Sequence, residues 1–112
     1  MQINTRTFGD LTVLDLSGKL TIDDGAAVLR DRVASLVSQG QRKLLLNLAQ
    51  VPYVDSGGLG ELVRCSLIAN REKGAVKLVN LTQRIADLLT ITKLLTVFDT
   101  FDNEDAARAS FT

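Results

Sequence analysis

The chain has 112 residues, 46% of them hydrophobic, thirteen basic residues balanced by thirteen acidic ones, and a single proline. This is enough apolar material for one core, so a single domain over residues 1–112 is expected, and the absence of a charge run removes the electrostatic footprint of a nucleic-acid binder. With no histidine and one cysteine, ordinary zinc sites, serine-histidine triads and an internal disulfide are excluded, and no apolar stretch or signal-peptide core directs the chain to a membrane or out of the cytoplasm.

Ile3 to Phe8 and Leu11 to Leu16 have strand composition and are separated by Gly9-Asp10, a pair suited to a tight turn, so the chain should open with an antiparallel hairpin. After the polar stretch Thr21-Ile22-Asp23-Asp24-Gly25, the spacing of Val28, Leu29, Val33, Leu36 and Val37 predicts a helix, with Asp24 as its cap and Gly40 as its end. Lys43 to Leu48 does not alternate as a half-exposed strand would, and is read as the two-sided, buried centre of the sheet.

Leu59, Leu62, Val63, Ser66 and Leu67 then recur at helical spacing from about Ser56 to Lys73, where Gly74 should stop the helix. Ala75 to Val79 reads as another strand. Thr82 should cap a third helix with Ile85, Leu88 and Leu89 inward, and Leu94, Leu95, Val97 and Phe98 lead into a last strand before a terminal helix over residues 104–110. The fold class is therefore α/β: a mixed sheet of about four or five strands with about four helices packed on it.

The chemistry concentrates in Asp55-Ser56-Gly57-Gly58-Leu59-Gly60, at the junction of a buried strand and a helix. Taken alone, Ser, Asp and Gly are what any loop entering a helix would use. The run lacks the lysine of a P-loop and the spacing of a dinucleotide fingerprint. Glycines around the serine should leave its hydroxyl reachable, and Asp55 should cap the helix or hold that hydroxyl.

Together with the order of elements, Leu16-Ser17-Gly18-Lys19-Leu20 and the leucine-rich strand, the segment Val51-Pro52-Tyr53-Val54-Asp55-Ser56-Gly57-Gly58-Leu59-Gly60 resembles the STAS domain of anti-sigma factor antagonists over essentially the whole chain. The resemblance implies a binding protein that captures an anti-sigma factor serine kinase and frees the sigma factor. It implies phosphorylation at Ser56 by that kinase and reversal by a metal-dependent serine phosphatase. It also admits a non-catalytic scaffold, or an accessory subunit of a signalling complex or transporter ATPase. Two departures stand out: Gly57 replaces a second serine common in the family, and Thr21-Ile22 precede Asp23 and Asp24 where the family often begins its loop with an aspartate.

The expected partner surface is Asp23, Asp24, Asp55, Ser56, Gly57 and Gly58, with Glu61 and Arg64, which lie off the apolar stripe. Cys65 also lies off that stripe and is expected to be incidental, while Tyr53 and Phe98 are expected as core or loop anchors. No catalytic residue, cofactor or metal site is expected, and neither nucleic acid nor membrane is a partner. The sequence leaves open the oligomeric state, including a weak homodimer.

Overall fold

The computed structural model describes residues 1–111. β1 (Gln2–Phe8) and β2 (Leu11–Ser17) form the expected antiparallel hairpin, with Gly9 at φ 64° in the turn, a left-handed conformation that glycine adopts without strain. β2 pairs in parallel with β3 (Lys43–Gln50), β3 with β4 (Ala75–Val79), and β4 with the two-residue β5 (Thr100–Phe101), giving the order β1-β2-β3-β4-β5. Parallel neighbours need long crossovers, and α1 (Ala26–Ser38), α2 (Ser56–Arg71) and α3 (Gln83–Ile91) supply them. α4 (Glu104–Ala109) follows β5.

β3 is the middle strand and is buried on both faces, as its unbroken apolar run requires. Leu44, Leu46 and Leu48 join the core shared with α1, α2 and α3, whereas Leu45 joins Leu11, Val13, Val79 and Ala107 beneath α4 on the opposite face. Thr82 caps α3 through the Ile85 amide, and Ile85 and Leu89 point inward with Leu88 half-buried, as the spacing predicts. Leu94 and Phe98 pack on the larger core, while Leu95 and Val97 remain exposed.

Three local expectations are corrected. Asp24 does not cap α1: residues 21–24 close a turn of their own, and the chain enters the helix through Gly25 at φ 95°, where a side chain would run into Lys19 and Met1. Val28, expected on the inward face of α1, is exposed. α2 stops at Arg71 because Lys73 takes the left-handed conformation, at φ 61°, and Gly74 returns its amide to the Ala69 carbonyl at 2.8 Å. Gly74 is needed for a different reason, since a methyl there would collide with the Arg42 carbonyl.

Candidate functional site

The site is built where the loop after β2 meets the loop after β3. Leu20 donates its amide to the Tyr53 carbonyl at 2.9 Å, Asp55 returns its amide to the Leu20 carbonyl at 3.3 Å, and Leu20 and Val54 form a parallel bridge. Asp55 then completes the stitching with its side chain. Its Oδ1 accepts the Gly58 amide at 2.7 Å, capping α2, and its Oδ2 accepts the Ile22 amide at 3.3 Å. The carboxylate is therefore occupied by backbone rather than by the Ser56 hydroxyl.

Ser56 is the first residue of α2 and is exposed; among the described residues its side chain has no hydrogen-bond partner. Gly57 and Gly58 act differently from expectation. They do not merely bare the hydroxyl: a methyl on Gly58 would strike the Leu20 carbonyl, and one on Gly57 would lie 2.5 Å from the Ile22 Cβ. Their missing side chains let the first turn of α2 settle onto residues 20–22, whereas Gly60 faces open space.

That settling fixes the rotation of α2, and three expectations fall with it. The inward residues are Gly58, Leu59, Glu61, Leu62, Cys65, Ser66 and Ala69, so Leu67 is 52% exposed despite its place in the apolar spacing. Glu61 is not an exposed partner contact: it is buried between α2 and α1, where its Oε1 accepts from Arg30 Nε at 2.9 Å and its Oε2 has no partner among the described residues. Cys65 is likewise a core residue, and burial pushes its thiol pKa up to about 12, with the nearby Glu61 adding to the effect. A thiol so placed is a packing group, not a nucleophile.

Asp23 and Asp24 are both exposed on the loop that Ile22 packs against Asp55 and Gly57, and the Asp24 carboxylate pairs with the Met1 amino group at 3.4 Å. Arg64 is exposed further along α2, against a shallow depression shared with Gly60, Val63, Leu67 and Arg71. On the other side of Ser56, an open groove of roughly 790 Å³ runs between the loop after β3 and α3, lined by Tyr53, Asp55, Ser56, Arg84, Leu88 and Ile91 among others. Tyr53 is a half-open groove wall with the Arg84 guanidinium 5.5 Å from its ring centroid, whereas Phe98 is the core anchor expected.

Ile91, 77% exposed, lines the groove with the serine, and Ile22, 70% exposed, lies against the neighbouring Gly57, although the sequence did not place either there. The signal for Ile22 was present as an apolar residue inside a polar loop; nothing local marks Arg84 or Ile91, which reach the site only through tertiary packing. Among the described residues no cluster of His, Cys, Asp or Glu is arranged to hold a metal, and no helix is long and apolar enough to cross a membrane.

Comparison with known proteins agrees with this architecture. A family model described as the STAS domain matches residues 2–107. The chain is 34% identical over 86 residues to the anti-sigma-B factor antagonist of Bacillus subtilis (strain 168), the alignment covering 77% of each. In fold it is similar to an anti-sigma factor antagonist from Mycobacterium paratuberculosis, with TM-score 0.83 and 20% identity over 98% of this chain and 92% of that one. It is also similar to the phosphorylated form of SpoIIAA, a Bacillus cell fate determinant, with TM-score 0.76 and 16% identity over 99% and 100% of the two chains.

Proposed function

We propose that this chain, which belongs to the STAS domain family, is an anti-sigma factor antagonist, a binding protein that captures an anti-sigma factor and releases the sigma factor it held. The partner is an anti-sigma factor with ATP-dependent serine kinase activity, acting in the cytoplasm, and phosphate on Ser56 ends the association. The observation that carries this reading is the exposed Ser56 hydroxyl, unpartnered among the described residues and fixed in place by a backbone that Asp55, Gly57 and Gly58 hold.

In the transfer step the Ser56 Oγ attacks the γ-phosphorus of ATP held by the kinase. The new O–P bond forms as the bond to the β-phosphate bridging oxygen breaks, ADP departs, and the hydroxyl proton passes to a base of the kinase. A metal-dependent serine phosphatase reverses the modification by directing water to the same phosphorus.

Phosphate adds about −1.5 to −2 charges, which the amino end of a helix accepts with roughly 0.3 to 1 kcal/mol of stabilisation per charge. The fold of the antagonist should thus survive modification. Across an interface the sign reverses, because a like charge about 4 Å away at an effective dielectric near 20 costs roughly 4 kcal/mol. Even about 3 kcal/mol weakens association more than ~100-fold. Asp23, Asp24, Asp55 and Gly57 form the rim of this surface and Arg64 its outer edge, whereas Gly58, expected as a contact, is buried against Leu20 and only seats the helix beneath the rim.

The test is incubation of wild type and Ser56→Ala with ATP and the anti-sigma factor kinases of the source organism, read by intact mass. One added phosphoryl group on wild type and none on the variant is expected. Equal incorporation in both, or none in either with a kinase that binds the chain, would overturn the assignment.

A further inference from the structure

Among the described residues, Arg84 stands in the Ser56 groove without an acidic partner. It lies in the first turn of α3 and is exposed, and its guanidinium makes one interaction among the described residues, the contact with the Tyr53 ring. The other charged side chains lining the groove are Asp55 and Asp87, both carboxylates. Both are already engaged: Asp55 accepts the Gly58 and Ile22 amides, and Asp87 accepts from Gln83 Nε2 at 2.8 Å. Among the described residues, Arg84 is therefore the one cation that lines the groove.

We propose that phosphate on Ser56 is bound within the same chain by Arg84, which leaves the Tyr53 ring and crosses the groove to pair with it. The inference rests on the reading of Ser56 as a phosphoacceptor and adds a mechanism to it. A phosphate introduced into a groove that already holds two carboxylates is in a repulsive field and draws the cation that lines the same groove. The contact Arg84 gives up is an exposed cation–π stack, a weak restraint. The contact it gains is a charge-assisted, two-pronged guanidinium–phosphate pair, the geometry for which arginine is best suited. The exchange should run toward phosphate.

Its consequence reaches the partner surface. Once across, the aliphatic stem of Arg84 lies over the groove that Leu88 and Ile91 border, and Tyr53 loses its cover. A kinase would then meet a closed groove as well as a new negative charge. The phosphate would act on the shape of its own chain and not by repulsion alone.

The experiment needs no kinase. The chain is made with phosphoserine genetically encoded at position 56, as wild type, Arg84→Gln and Arg84→Lys, and the phosphate is titrated by phosphorus NMR while the Tyr53 ring protons are followed. The paired phosphate should lose its second proton more readily in wild type, with a proton affinity about threefold to tenfold below that in Arg84→Gln. Arg84→Lys should fall between, and the Tyr53 ring signals should shift on phosphorylation in wild type alone. Superimposable titrations of wild type and Arg84→Gln would overturn the proposal. Because Arg84 is exposed, folding of the variant is not at stake. Failure of the kinase assay with a positive titration would remove the functional reading and leave the pair standing, so the two are separable.

Discussion

Ile22 sits directly on Gly57: a methyl at position 57 would lie 2.5 Å from the Ile22 Cβ and 3.3 Å from its Cδ1. Position 57 is therefore set by packing between two loops, and a serine there could not be accommodated without moving Ile22. Gly57→Ser should destabilise the chain by about 1–3 kcal/mol, the usual cost of overpacking. Ile22→Gly removes the colliding carbon at a cost of roughly 0.5–1 kcal/mol from added chain freedom. In urea unfolding the two changes should be strongly non-additive, the double variant being more stable than Gly57→Ser alone. Simple additivity would show that the two positions do not share this space.

Asp55 accepts two amides from two different segments, and the variants separate them. Asparagine keeps one acceptor oxygen for the Gly58 amide but presents an amino group in place of the other. Alanine loses both. The order of urea midpoints should be wild type, then Asp55→Asn, then Asp55→Ala, with the full loss about 1–2 kcal/mol and the unfolding slope unchanged. Equal midpoints for asparagine and alanine would mean that the cap contributes nothing measurable.

The Glu61–Arg30 pair makes an asymmetric prediction. Glu61 is buried while the Arg30 side chain is 43% exposed, so removing the arginine strands a carboxylate in the core, whereas removing the glutamate leaves a cation that water can reach. Arg30→Ala should cost about 2–3 kcal/mol, below the full range for buried pairs because the guanidinium is partly solvated, and Glu61→Leu should be close to neutral. The double variant should recover much of the loss. A larger penalty for Glu61→Leu than for Arg30→Ala in urea titrations would contradict the placement of this carboxylate.

These residues also mark where the sequence stopped being readable. Elements with a strong local signature were recovered: the hairpin around Gly9, the two-sided strand at Leu44 to Leu48, the Thr82 cap and the position of Ser56 at a helix start. What failed was the rotation of α2. Leu59, Leu62, Val63, Ser66 and Leu67 describe an apolar stripe well, yet the glycines at 57 and 58 let the helix settle on Leu20–Ile22, turning Glu61 and Cys65 inward and Leu67 outward. Close approach of two backbones leaves no trace in periodicity. The far wall of the groove was equally hidden, because Arg84 and Ile91 stand some thirty residues from the serine and meet it only once β4 has placed α3.

Arg6 joins the hairpin to the terminal helix, and this gives the chain a defined acid sensitivity. Its guanidinium grips Asp15 through Nε at 2.7 Å and Nη2 at 2.9 Å, and Glu104, in the first turn of α4, through Nη1 at 3.0 Å and Nη2 at 2.5 Å. Hydrogen bonds from Arg6 hold both carboxyls below their ordinary values of 3.8 and 4.5, with Asn47 also contributing at Asp15. As pH falls, the unfolded chain therefore takes up protons at these positions before the folded chain does. The stabilisation is present in full above the ordinary values and drains away as pH drops below about 4.5 toward the lowered folded-state values. Thermal melts between neutral pH and pH ~3 should show wild type falling steeply at the acid end. Arg6→Met should start lower at neutral pH and fall less, because its carboxyls no longer differ as much between the two states. Parallel curves for the two proteins would show that Arg6 does not link α4 to the sheet through these charges.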